Sequence, residues 1–295
     1  MKSTVSISKL IAGTMKWGQW GSRFTTSQYL EMIEICLANG ITTFDHADIY
    51  GHYTTEEEFG KALSEKPSLR QQVQLISKCG IKMITPNRPA NKIKSYDTSG
   101  EYIINSVNNS LKNFHTDYLD ILLIHRPDPL MDPDDIADAF TALKKQGKVK
   151  EFGVSNFTAS QTDLIHSIFP VRFNQLEISV LELQPFLDGN LNYCMQNKLM
   201  PMAWSPLGGG NIFTDQTNER YKRIVAVATI LAEIHNALPE QILLAWLLLH
   251  PSYIVPVLGT SKAARIDVAM KAASISLTRE EWFMVWRAST GKEVP

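Results

Sequence analysis

Short apolar runs recur along the chain at 10–13, 41–44, 73–77, 119–124, 149–154, 171–175, 199–203 and 253–257. Their length and their bounding polar or Gly residues predict buried strands. Amphipathic helix patterns fill the intervals. In 27–39, Leu30, Ile33 and Leu37 fall on one face, and Gly40 suits the C-terminal cap. In 101–114, Ile103, Val107, Leu111 and Phe114 form one stripe. Asp132-Pro133-Asp134-Asp135 predicts an N-cap, a proline in the first turn and two acids that suit the helix dipole. Thr54 to Glu58 offers a capping box, and so does Thr278-Arg279-Glu280-Glu281 ahead of a last helix carrying Trp282 and Trp286. Eight strands alternating with helices predict an α/β fold, a (β/α)8 TIM barrel in one domain over 1–295. Residues 2–9 suggest a short N-terminal hairpin. A doubly wound sheet is the rival, but Gly13-Thr14-Met15-Lys16-Trp17-Gly18 lacks the G-x-G-x-x-G spacing. The segments 79–100 and 205–220 are too long for plain turns, and loops of that length in a compact domain are usually functional or mobile.

Three of the predicted strands run into ionisable residues. Thr42-Thr43-Phe44 ends in Asp45, with Tyr50 five residues later. The 73–77 run ends in Lys78, and the 119–124 run ends in His125. A buried strand should not end in such groups unless they are paired or used. In a barrel the strand C-termini build the active site, so the four side chains should meet on one face. A phenol is protonated at neutral pH. An ammonium at about 4 Å would favour its anion by about 4 kcal/mol at an effective dielectric near 20. Lys78 would thus tune Tyr50 as a proton donor, Asp45 would hold Lys78, and His125 would orient a substrate oxygen. A structural ion pair with a buried Tyr and a satisfied His is the bland alternative. It explains any one residue more easily than all four together.

The charge balance narrows the partners. The net charge is -1 with no block of like charge, so the main electrostatic argument for a nucleic-acid partner is missing. Cys36, Cys79 and Cys194 are three scattered cysteines, which argues against a disulfide framework or a thiolate metal site. Met1 to Ser8 lacks the apolar run of a signal peptide, and Ile242 to Leu249 is too short to span a bilayer. A cytoplasmic protein without a membrane partner is expected.

A set that protonates an oxygen gaining negative charge fits carbonyl reduction, and the rest of the chain carries matching motifs. Asp45-His46-Ala47-Asp48-Ile49-Tyr50-Gly51 resembles the D-T-A-x-x-Y-G motif of the aldo/keto reductases. Gly153-Val154-Ser155-Asn156-Phe157, Asn174-Gln175-Leu176-Glu177 and Trp204-Ser205-Pro206-Leu207-Gly208 are similar to that family's G-V-S-N-F, N-Q-x-E and Y-S-P-L-G. The run from Leu122 to Pro129 resembles a bacterial branch of little-characterised oxidoreductases in the family.

The resemblance implies Tyr50 as proton donor, Lys78 and Asp45 as its tuning pair and His125 as the substrate guide. It implies NADPH, with NADH less favoured, a small-molecule carbonyl substrate and no metal. Ser155, Asn156 and Gln175 would hold the nicotinamide carboxamide, and Trp204 would stack on the ring. Ser205, Pro206, Leu207 and Gly208 would follow the pyrophosphate. Gly13, Thr14 and Asp45 would border the cofactor, and Gly259, Thr260, Ser261, Lys262 and Arg265 would take the adenosine 2′-phosphate. The chain departs from the pattern at Gly259, where many members carry lysine, and at Val268-Ala269, where they carry Glu-Asn. His46 replaces the usual threonine and would either reshape the pocket or pack. Trp17, Trp20, Tyr53, the 79–100 loop, the Arg126–Met131 loop and the C-terminal helix are candidates for substrate selection. Two other classes compete. A metal-dependent hydrolase would use Asp45, His46, Asp48, His52 and His125, although no metal-ligand spacing supports it. A nucleotide-sensing binding protein would resemble the barrels that serve as regulatory subunits of membrane channels.

Overall fold

In a computed structural model, residues 5–215 and 217–295 are described. Eight parallel strands close into a barrel. In chain order the strands are β1 (Ile11–Gly13), β2 (Thr43–Asp45), β3 (Gln74–Cys79), β4 (Ile81–Lys82), β5 (Ser95–Tyr96), β6 (Leu119–Ile124), β7 (Val149–Ser155), β8 (Phe173–Glu177), β9 (Met200–Trp204) and β10 (Val255–Leu258). The barrel runs β1-β10-β9-β8-β7-β6-β3-β2, while β4 and β5 form a separate antiparallel pair. All eight predicted barrel strands are present. Several start or end a residue or two later than the apolar runs, because the polar residues at their C-terminal ends are still paired in the ladder: Asp45 with Ile76, Lys78 with Leu123, and Ser155 with Gln175.

Inward-facing Ile11, Ile76, Ile121, Leu123, Phe173, Met202, Val255 and Val257 fill the barrel, and Val5 joins them. A larger apolar layer lies between the barrel and its helices. The helix starts follow their local chemistry. Asp132 accepts from the backbone N–H groups of Asp134 and Asp135, and Thr278 closes a reciprocal box with Glu281. Gly40 adopts φ +76° just past the helix Thr26–Ala38, which few residues but glycine tolerate.

Two local expectations are corrected. The N-terminal hairpin is absent from residues 5–9, which carry no strand, and residues 2–4 lie outside the described residues. The two-stranded piece is instead β4–β5, inside the 79–100 loop. The capping box at Thr54 also does not form. A left-handed turn precedes it, with φ +59° at Gly51 and His52 and +70° at Tyr53. Thr54 therefore donates its hydroxyl back to the Gly51 carbonyl. Glu56, in the first turn of the helix that follows, is buried and accepts from Ser77, Ser110 and Asn113.

Candidate active site

The three strand ends converge as the sequence predicts. Lys78, the fifth residue of β3, faces the barrel axis and is 1% exposed. Its Nζ donates to Asp45 Oδ2 at 2.8 Å, to the His46 carbonyl at 2.8 Å and to the Tyr50 hydroxyl at 3.1 Å. Three acceptors exhaust the three protons of an ammonium. Tyr50 follows β2 and is aimed back over the barrel by the left-handed turn behind it. A side chain on Gly51 would bring its Cβ within 2.5 Å of Thr55 Oγ1, so glycine is required there by space as well as by φ. The His125 ring stands edge-on to the Tyr50 ring, with centroids 6.1 Å apart.

The electrostatics follow from burial. Burial works against the Lys78 ammonium, but Asp45 and Tyr50 outweigh it and hold its pKa above the ordinary value. Burial raises Tyr50 above 10.0, and the pull of Lys78 in the opposite direction does not overcome it. The phenol is therefore protonated throughout the neutral range. The expected lowering of Tyr50 by Lys78 is present as a force but is outweighed by desolvation. His125 is pushed well below 6.5, by burial first and then by the cations Lys78, Arg126 and Lys94. It is a neutral imidazole, and its buried Nδ1 has no hydrogen-bond partner among the described residues.

A second cluster adjoins the first. Gln175 on β8 reaches across the barrel, and its Nε2 donates to Asp45 Oδ1 at 2.7 Å. Asn156 sits at φ +61°; its Nδ2 donates to Ser155 Oγ at 2.8 Å, and its Oδ1 accepts from the Trp204 indole N–H at 2.9 Å. Ser155 Oγ donates to the Gln175 carbonyl. One bonded chain thus links Trp204, Asn156, Ser155 and Gln175 to Asp45. The Gln175–Asp45 contact, between residues 130 apart, was not legible in the sequence. The only hint was an inward Gln at a strand end opposite another carrying an Asp.

The remaining candidates form a rim. Ser205 has φ +49°, and Gly208, Gly209 and Gly210 all have positive φ. At Gly208 a Cβ would lie 2.4 Å from Leu181 Cδ1. Pro206 is buried and Leu207 half-buried beside them. Farther along, Gly259 is open on its Cβ side. Thr260 accepts the Trp17 indole N–H at its carbonyl, and Ser261 Oγ accepts from Ser22. Lys262 caps the helix Ala263–Lys271 without a side-chain bond, leaving first-turn N–H groups open. Lys262 and Arg265 are exposed, and neither makes an ion pair among the described residues. Open helix N–H groups beside two free cations suit a phosphate.

Other candidates sit elsewhere than expected. Thr14 is fully buried, and its hydroxyl is engaged by the Asp45 carbonyl and His46 Nδ1. Gly13 packs against β10, where a Cβ would meet the Leu258 carbonyl at 2.9 Å. His46 packs and does not shape the pocket. Strand alternation turns it outward from Asp45, and its ring lies edge-on to Phe59 and Phe114 at 4.5 and 4.9 Å. Trp17 is likewise core, among Phe24, Tyr29, Phe44 and Phe59. The C-terminal helix Arg279–Thr290 spends Trp282 and Trp286 on a stack with Trp246. Trp20 does reach the site, 6.0 Å from the Tyr50 ring. Tyr53 fixes the 79–100 loop by accepting from Met83 N–H and donating to the Ile81 carbonyl. Among the described residues no group of three or more His, Cys, Asp or Glu is placed to hold a metal ion.

Residues 9–288 match the aldo/keto reductase family. The chain belongs to the aldo/keto reductases. It is an oxidoreductase of that family. It is 44% identical to the uncharacterized oxidoreductase YcsN of Bacillus subtilis (strain 168), covering 99% of this chain and 97% of that one. It is 40% identical to a 6-dehydroglucose reductase of Agrobacterium fabrum, covering 97% of each. The solved structure of the thermostable aldo-keto reductase Tm1743 superposes with a TM-score of 0.79 at 26% identity, covering 97% of each chain. No helix among the described residues is long and apolar enough to cross a membrane.

Proposed function

We propose that this aldo/keto reductase reduces an aldehyde or ketone to an alcohol with NADPH, and that Tyr50 supplies the proton. The observation that carries the reading is Lys78 Nζ held between Asp45 Oδ2 and the Tyr50 hydroxyl. When bound, the nicotinamide supplies the hydride to the carbonyl carbon. The protein does the rest. The Tyr50 O–H donates to the oxygen as negative charge grows there, and the Lys78 ammonium stabilises the phenolate left behind. Asp45 keeps that ammonium charged in a site with little water. Neutral His125 offers a ring N–H to the same oxygen and fixes its direction without competing as an acid.

The residues fit the cofactor. Ser155, Asn156 and Gln175 supply donors and acceptors of the kind a carboxamide needs. Gly209 and Gly210, with nothing within 4 Å of where a Cβ would stand, would let a pyrophosphate approach the backbone closely. Lys262, Arg265 and the open helix start favour the 2′-phosphorylated form. Similarity to 6-dehydroglucose reductases over the whole chain makes an oxidised sugar the first compound to try. The test is a fluorescence titration with NADPH and NADH, followed by a carbonyl panel including 6-dehydroglucose, read as loss of NAD(P)H absorbance. Tighter binding of NADPH and turnover of at least one carbonyl are expected. NADPH binding without turnover across the panel would sink the enzymatic reading and favour a nucleotide-sensing protein.

A further inference from the structure

We propose that Arg126 and Glu177 together select the substrate, and that they favour an uncharged carbonyl compound bearing hydroxyl groups beside its reacting carbon. The inference rests on the carbonyl-reducing reading of the pocket and deepens it. Arg126 directly follows His125 at the end of β6. Its guanidinium carbon lies 5.9 Å from the centre of the Trp204 ring. Glu177 ends β8 in register with Trp204, and it lies two residues beyond inward-facing Gln175. The alternation of a strand therefore turns it to the same face. Both residues sit at the reacting end of the pocket, on strands β6 and β8 that are separated by β7 alone.

Both are half-buried, and among the described residues neither makes a hydrogen bond or an ion pair. Their charges are nevertheless in range of each other. Burial and Glu182 raise the Glu177 carboxyl, while Arg126 draws it down. Two half-dehydrated opposite charges that do not close on each other leave a gap that a polar ligand can bridge.

The chemistry of the gap limits what fits. A guanidinium only donates and a carboxylate only accepts. A hydroxyl does both, so neighbouring hydroxyls can accept from Arg126 and donate to Glu177. An anionic substrate would be drawn to Arg126 but repelled by Glu177 and Glu182. An alkyl aldehyde would displace water from both charges and give nothing back.

The test compares kcat/KM with NADPH for propanal, D-glyceraldehyde and succinic semialdehyde, each corrected for its free-aldehyde fraction. A site built to bond hydroxyls discriminates strongly against analogues that lack them. Wild type should therefore prefer glyceraldehyde to propanal by about tenfold or more. The Arg126→Gln and Glu177→Gln variants should each bring that ratio to within roughly threefold of one. Arg126→Lys, which keeps the charge but loses the fork, should fall between them. A wild-type ratio near one overturns the inference without any variant, as does an unchanged ratio in both Gln variants. Preference for succinic semialdehyde over glyceraldehyde would also overturn it and make Arg126 an anion site. Propanal turnover without hydroxyl preference leaves carbonyl reduction standing; no turnover of any of the three removes both.

Discussion

The end of the site proposed to handle the proton and the end proposed to take a phosphate are built in opposite ways. Around Lys78 the charged groups are already paired: three acceptors take the ammonium, and Gln175 takes the second oxygen of Asp45. At Lys262 and Arg265 the cations stand exposed, beside helix N–H groups with no side-chain cap. The first region is closed before any ligand arrives, and the second is completed only by one. The difference follows from what each must do. A proton donor must be held at a fixed distance in a dry site, which demands pairing in advance. A phosphate brings its own charge, and pairing the cations beforehand would only have to be undone.

The comparison can be broken most directly at Tyr50. Tyr50→Phe removes the acid but none of the pairing of Asp45, and should lower kcat about 10³-fold. NADPH binding, read by fluorescence, should stay within a few-fold. Turnover within a few-fold of wild type would remove the acid role. Lys78→Met should cost both activity and stability, because it leaves Asp45 buried beside one amide alone. A loss of about 3–5 kcal/mol in urea unfolding is expected. The double variant Lys78→Met, Asp45→Asn should recover part of that loss if pairing is the cause.

At the open end the effects should be smaller and confined to binding. Arg265→Ala should weaken NADPH by about tenfold, equivalent to about 1.4 kcal/mol, and leave NADH nearly unchanged. An equal loss for both would place the residue away from the 2′-phosphate. A separate effect is expected from pH. Burial and then Lys78 hold His46 well below 6.5, and His125 is depressed likewise. A depressed pKa means the unfolded chain binds the proton better. Stability is thus full above about 6.5 and falls as pH drops below it, by at most about 1.4 kcal/mol per pH unit for each histidine. Urea midpoints between pH 7 and pH 5 should fall less in His46→Phe than in wild type. A parallel decline in both would show that His46 carries none of the effect.

The barrel was legible because each strand is a short apolar run and each helix keeps its stripe. The convergence of Asp45, Tyr50 and Lys78 was legible because a polar residue ending such a run is costly unless paired or used. Less was visible where burial and not residue type decides. The sequence left His46 open between the pocket and the core, and alternation sends it behind the strand, into a box of Phe59 and Phe114. Trp17 and Trp20 are three residues apart, and only the structure tells the core residue from the one at the site. Thr54 had the letters of a cap, but the left-handed turn that aims Tyr50 left its hydroxyl on the wrong side. Glu177 belonged to a motif without a role, because nothing local shows that it lacks a partner.

Gln175 has one hand already occupied. Its amide nitrogen faces Asp45, and a carboxylate can only accept, so the amide cannot turn over without losing that bond. What it still has to offer is an oxygen. Any arriving amide is thereby read for its N–H side, and a nicotinamide turned the other way round would meet oxygen with oxygen. If the reductant docks here as proposed, the residue that braces Asp45 across the barrel would also set which way round it can lie.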